Sequence, residues 1–154
     1  MGICGHSMGG TLAIHYTAAH SEIRACCAIQ APSRLGGVQP GDRFDAWRKS
    51  GWYEKECAAP LSRTVRIPYA FATDAVCIDA LTSAPKVAVP SLVMYGTKDE
   101  RVPPENTVML YQALGGPKKL VALEDYGHRF KLEPAKCEHV AKIAVEFFRE
   151  HLGP

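Results

Sequence analysis

Met1-Gly-Ile-Cys-Gly-His-Ser-Met-Gly-Gly10 is the stretch from which the fold is read. A short run of small and apolar residues, Met1-Gly-Ile-Cys-Gly5, meets Gly5-His-Ser-Met-Gly-Gly10, and a helical pattern of apolar positions follows over 8–20. That is strand, sharp turn, helix. Gly5-x-Ser7-x-Gly9 between a strand and a helix has the form of a nucleophile elbow, a turn so tight that only small flanking residues avoid clashes. Such a turn lifts the Ser7 hydroxyl at the C-terminal edge of the sheet. It also sets the backbone N–H of Met8 at the helix N-terminus, where it can donate to a developing oxyanion. The non-catalytic reading of the same residues is a Gly-rich connection with Ser7 as a helix N-cap.

Working outward, Ala25-Cys-Cys-Ala-Ile-Gln30 is an apolar run stopped by Pro32, the mark of a parallel strand buried on both faces. With the first strand and helix it makes a βαβ unit. Over 33–67 the character changes: two Gly-rich breaks precede Phe44, Trp47, Trp52 and Tyr53 among charges, and the polar stretch Ser62-Arg-Thr-Val-Arg66 follows. We read 34–67 as a cap or lid inserted into a single domain spanning 1–154. Beyond it, 68–83 is helix-like and 89–95 reads as a buried strand. The stretch 104–114 reads as a helix with Pro near its start and Gly115-Gly116-Pro117 after its end. A strand at 119–123 and an amphipathic helix at 134–152 close the chain, the helix placing Cys137, Val140, Ala141, Ala144, Phe147 and Phe148 on one face. Four strands alternating with helices predict an α/β fold with a parallel, doubly wound sheet.

Composition narrows the function classes. A chain of 154 residues with 47% hydrophobic and 22% charged content is long enough to bury a core and too apolar for disorder. Its net charge is +2 and its 18 basic residues are scattered, so no electrostatic footprint for nucleic acid is present. No apolar run approaches the roughly 18 residues of a membrane span, and 1–20 lacks the charged start and apolar stretch of a signal peptide. A cytoplasmic protein without membrane partners is expected. The six cysteines form no C-x-x-C pair and read as buried free thiols. Neither His15 with His20 nor His139 with His151 has the i, i+4 spacing of a helical metal site, so no metal is expected.

Two further loops carry chemistry. Tyr95-Gly-Thr-Lys-Asp99-Glu-Arg-Val-Pro-Pro104 puts an acid just past a buried strand, at the edge where open α/β sheets gather functional groups. Asp99 there can orient an imidazole; the plainer reading is a solvated loop residue or a cap for the helix at Pro104. Asp125-Tyr-Gly-His128-Arg-Phe130 follows the last strand and carries a histidine on a third loop of the same edge. Asp125 is the fallback acid. Each residue alone is weak, but Ser7, Asp99 and His128 come in the chain order of a hydrolase triad, each directly after a predicted strand.

On Gly5-His-Ser-Met-Gly-Gly10, Gly96-Thr-Lys-Asp-Glu-Arg-Val-Pro103 and Tyr126-Gly-His128 the chain resembles the α/β-hydrolase superfamily over essentially its whole length, and within it small carboxylesterases and dienelactone-hydrolase-like serine hydrolases. Dienelactone hydrolases themselves use cysteine where this chain has Ser7. The resemblance implies a cofactor-free serine hydrolase acting on a small ester or amide. His128 takes the proton of Ser7, Asp99 holds the imidazole, the Met8 N–H binds the oxyanion, and water releases the acyl group. Trp47, Trp52 and Tyr53 are candidates for an acyl pocket under the cap, or for the cap's own small core. His6 is assigned no proton-transfer role. The family sheet has about eight strands with the elbow after the fifth, so its first four strands have no counterpart in these residues. One oxyanion donor, usually supplied after the third strand, goes with them. The elbow strand is then expected at a sheet edge, open to self-association. A peptidase or thioesterase with the same triad, and a non-catalytic remnant serving as an interaction module, are the alternatives.

Overall fold

The structure, a computed structural model, describes residues 1–35, 42–57 and 62–153. Along the chain run β1 (Gly2–His6), α1 (Met8–Thr17), β2 (Ala25–Ile29), α2 (Asp42–Ser50), β3 (Trp52–Cys57) and β4 (Arg63–Pro68). Then come α3 (Ala70–Ala75), α4 (Ala80–Ser83), β5 (Ser91–Gly96), α5 (Pro104–Ala113), β6 (Lys118–Leu123) and α6 (Pro134–Leu152). They form two compact units, Met1–Arg34 with Asp79–Pro154, and Leu35–Ile78.

The first unit is built on a parallel sheet of order β1-β2-β5-β6. All five residues of β2 are buried, which is what a parallel strand covered on both faces requires. Its side chains alternate between two apolar layers. Cys26 and Ala28, with Val93 of β5, join Ala13, Ile14, Ala80 and Leu110 on one side of the sheet. Ala25, Cys27 and Ile29, with Leu92 and Met94, meet Val140, Ala144 and Phe147 of α6 on the other. These layers hold the C-terminal strand ends rigidly at one rim. Among the described residues β1 pairs only with β2 and forms an edge of the sheet. No helix among the described residues is long and apolar enough to cross a membrane.

Several sequence expectations shift. In α6 the buried stripe follows Val140, Ala144 and Phe147 with Ile143 and Phe148 beside it, while Cys137 and Ala141 are exposed. Ala141 lies about 100° round the helix from Val140, off the face that meets the sheet. All six cysteines are free, but only Cys26 and Cys27 on β2 are buried; Cys4, Cys77 and Cys137 are exposed and Cys57 is half-buried. The helix expected over 68–83 is broken, because Pro68 ends β4 and Asp79 starts a new helix by accepting hydrogen bonds from Leu81 N at 2.9 Å and Thr82 N at 3.3 Å.

The second unit contains α2, α3 and an antiparallel ribbon of β3 and β4, running from Trp52↔Pro68 to Cys57↔Arg63. The sequence marks 34–67 as an inserted cap without assigning it strands, and the ribbon is what the structure adds. Its reason is period-two patterning: Tyr53, Cys57, Val65 and Ile67 share one half-buried face of the ribbon between exposed charged residues. The Gly-rich breaks at Gly36-Gly37 and Gly41 lie outside the described residues.

Candidate active site

Three loops leave the C-terminal ends of β1, β5 and β6, and each delivers one polar side chain. Ser7 follows β1 directly, with φ 57° and ψ −128°, a backbone conformation that non-glycine residues rarely adopt. Its own N–H donates to Ile29 O at 2.8 Å, pinning the turn to the end of β2. Glycine is needed here for close approach: a Cβ on Gly5 would overlap the Gly9 carbonyl and come within 2.6 Å of Gly10 N. A Cβ on Gly10 would lie 2.8 Å from that of Ala31, whereas a Cβ on Gly9 would meet nothing within 4 Å. The tightness read from the motif therefore resides in Gly5 and Gly10, not in Gly9. Met8 opens α1, so its N–H is among the first helical donors that lack an intrahelical acceptor.

Asp99 is 4% exposed, and its carboxylate is almost fully used. Oδ1 accepts from Arg101 N at 3.0 Å and Val102 N at 2.8 Å, folding the loop around the acid and leaving Oδ2 for a partner. That partner is His128, whose Nδ1 lies 2.8 Å from Oδ2. Because an ionised carboxylate only accepts, Nδ1 carries the proton and Nε2 is left as an acceptor. The Ser7 Oγ stands 2.9 Å from Nε2 and donates to it. Ser7, His128 and Asp99 thus form one hydrogen-bonded relay. The plainer readings of Asp99 do not describe it, since α5 is capped at Pro103 without a side-chain bond and Asp99 is buried.

The fallback acid, Asp125, takes no part. Its exposed carboxylate pairs with Lys98 Nζ at 2.7 Å, a contact that holds its pKa below the usual carboxylate value. The β6 loop is fixed instead by its backbone: Lys98 N donates to Tyr126 O at 3.1 Å and Asp125 N to Thr97 Oγ1 at 2.9 Å. The Tyr126 hydroxyl lies 2.8 Å from His139 Nδ1 on α6.

Sequence reading passed over Gln30. It is fully buried, its Nε2 donates to Gly127 O at 3.2 Å, and its Oε1 lies 3.1 Å from His6 Nε2. The available signal was a polar residue ending an otherwise apolar strand. His6 itself stacks obliquely on the His128 ring, with centroids 5.0 Å apart, and edge-on to Phe130 at 5.3 Å. Burial lowers the His6 pKa first; the Gln30 bond opposes the shift, and neighbouring His128 and Lys131 reinforce it. Burial thereby favours its neutral form.

Trp47, Trp52 and Tyr53 belong to the second unit. There Trp47 packs near Tyr53 at 5.9 Å and Tyr69 at 6.0 Å between ring centroids, and its Nε1 donates to Ile67 O at 3.0 Å. Trp52 carries the Arg66 guanidinium 3.6 Å above its ring. Trp47 and Tyr53 thus contribute to an aromatic cluster of the unit itself.

A parallel sheet sandwiched by helices, with an elbow serine at its rim, defines an α/β-hydrolase fold. The model of the prolyl oligopeptidase family matches residues 1–154, and the chain belongs to that family. A relative in Escherichia coli, described as an uncharacterized 31.7 kDa protein in the traX-finO intergenic region, is 32% identical over 102 residues, 66% of this chain. The chain spans only 36% of that relative's length. Among solved structures it resembles the esterase domain of a Rhodothermus marinus protein, with TM-score 0.72 and 20% identity over 97% of this chain and 61% of that one. It also resembles the Paleococcus ferrophilus monoacylglycerol lipase, with TM-score 0.74 and 20% identity over 96% of this chain and 67% of the lipase. The Pyrococcus horikoshii acylaminoacyl peptidase superposes with TM-score 0.66 and 18% identity, covering 99% of this chain and 24% of the peptidase. At these identities the likenesses show the fold alone.

Proposed function

We propose that the protein is a serine hydrolase that cleaves carboxylic esters through an acyl-enzyme on Ser7. The observation that carries the reading is the relay of 2.9 Å from Ser7 Oγ to His128 Nε2 and 2.8 Å from Nδ1 to Asp99 Oδ2, mounted on a strained elbow. His128 removes the Ser7 proton as Oγ attacks the substrate carbonyl, and returns it to the leaving alcohol as the tetrahedral intermediate collapses. Water then attacks the acyl-enzyme by the same route in reverse roles. Asp99 keeps the tautomer that makes Nε2 a base and stabilises the imidazolium between steps. The Met8 N–H donates to the oxyanion; one such donor is worth about 100- to 1,000-fold in rate.

Membership of the prolyl oligopeptidase family supports a second reading, in which the same relay cleaves an amide. The test is labelling by a fluorophosphonate, which reacts with an activated serine whatever its leaving-group preference, beside Ser7→Ala. Paired ester and anilide substrates of one acyl group follow. Labelling confined to the unmutated protein with ester turnover supports the lead reading, and anilide turnover of comparable rate supports the second. Equal labelling of Ser7→Ala refutes both.

A further inference from the structure

We propose that Gln30 is a positioning residue for the relay, its carboxamide bracing the elbow loop against the histidine loop. The inference rests on the serine-hydrolase reading of Ser7 and His128. The residue on one side of the brace is His6, which immediately precedes Ser7; the residue on the other is Gly127, which immediately precedes His128. These contacts cross 24 and 97 positions of sequence, joining two loops that also meet through the Ser7–His128 bond and the packing of the His6 ring on His128 and Phe130.

The orientation of the amide follows from its partners. A main-chain carbonyl can only accept, so the NH2 group must face Gly127 O and Oε1 must face His6. His6 Nε2 is then the donor. This selects the His6 tautomer and commits its ring N–H to Gln30 Oε1, with the His128 ring 5.0 Å away between centroids. Neutral His6 adds no like charge when His128 becomes an imidazolium. The position is specified on every side. Gln30 N donates to Met94 O at 2.7 Å, the residue sits at φ 47° in the left-handed region, and its side chain is fully buried. Room for the carboxamide exists because residue 96 is glycine: a Cβ there would overlap both Gln30 Nε2 and Tyr126 O. An apolar side chain of similar length would fill this space without needing partners, whereas a buried amide is tolerated only when both ends are paired.

The test compares Gln30→Met, which keeps length and removes both bonds, with Gln30→Glu, which keeps an acceptor for His6 and loses the donor to Gly127. His6→Phe and the His6→Phe/Gln30→Met double variant complete the set. Three measurements are made on each: the rate of fluorophosphonate labelling, the thermal midpoint, and the NMR resonance of the His128 Nδ1 proton. Gln30→Met is expected to slow labelling roughly 10- to 100-fold, the scale of a misplacement near 1 Å, and to broaden the His128 resonance while the protein stays folded. The double variant is expected to be no slower than Gln30→Met, because both changes break one brace. Should Gln30→Met not fold, Gln30→Glu carries the same expectation through its lost Gly127 bond. A folded variant with wild-type labelling and an unchanged His128 resonance overturns the proposal, as do losses that multiply in the double variant. Failure of the wild-type protein to label sinks the serine-hydrolase reading instead, and the NMR comparison still decides whether Gln30 holds His128.

Discussion

Adding one methyl group to Gly5 and, separately, to Gly9 should have opposite effects, although both glycines belong to the same five-residue motif. At Gly5 the new Cβ would overlap the Gly9 carbonyl and stand 2.6 Å from Gly10 N. Those are backbone atoms of the first turn of α1, so no side-chain rotation relieves the clash. Either β1 withdraws from α1 or the turn opens at Ser7, whose φ of 57° is held by the Ser7 N to Ile29 O bond of 2.8 Å. Overpacking of this kind costs about 1–3 kcal/mol, which in a domain of this size lowers the thermal midpoint by roughly 2–12 °C. Opening the elbow also moves Oγ away from His128. At Gly9 the added Cβ meets nothing within 4 Å and the backbone is helical. Alanine there is expected to gain about 0.5–1 kcal/mol of helix stability, a rise of roughly 1–4 °C. Differential scanning fluorimetry and fluorophosphonate labelling of Gly5→Ala and Gly9→Ala together make the assay. A stable, fully labelled Gly5→Ala beside a destabilised Gly9→Ala would refute the account of which glycine makes the turn.

Other outcomes follow from the same geometry. Asp99→Asn should preserve the fold and reduce ester turnover by on the order of 10,000-fold, because an amide can hold the wrong imidazole tautomer. Asp125→Asn, at an exposed left-handed position that asparagine tolerates, should leave turnover unchanged; equal losses from the two variants would reinstate Asp125 as the acid. His6, whose folded pKa lies below its ordinary 6.5, favours the folded state above that value and loses this contribution as pH falls from 6.5 towards the folded pKa. Denaturant titrations should therefore show a shallower loss of stability in that acid window for His6→Phe than for the unmutated protein. Burial raises the Cys26 thiol to about 11 and Cys27 higher still, so a thiol reagent at pH 8 should modify Cys77 and Cys137 while leaving Cys26 and Cys27 untouched until the protein unfolds.

Much of the fold was legible because its signals are local. The apolar run ending at Gln30, the Pro and Gly punctuation around α5 and the 3.6-residue stripe of α6 each act within a few residues. The structure places β2, α5 and α6 close to where those signals put them. What escaped depends on partners outside the window. The 68–83 stretch looks helical residue by residue, yet pairing of Arg63–Pro68 with Trp52–Cys57 draws its start into a ribbon. Cys137 and Ala141 carry the right spacing for the α6 face, but the sheet that α6 covers selects the stripe centred on Val140, Ala144 and Phe147.

The candidate site divides in the same way. Sequence by itself determined the elbow, the order of Ser7, Asp99 and His128, and their positions after strands, since each motif is a short run whose chemistry is intrinsic. Only the tertiary structure decided which acid His128 meets. Asp125 is three positions away in the chain and pairs with Lys98, while Asp99 is reached across 29 residues through a loop folded by its own Oδ1. Likewise only the packed sheet brings Ser7 and His128 together across 121 residues and sets Gln30 between their loops. Spacing along a chain constrains neighbours within a turn or two; which side chains touch across a hundred residues is settled by the layers that bury the strands carrying them.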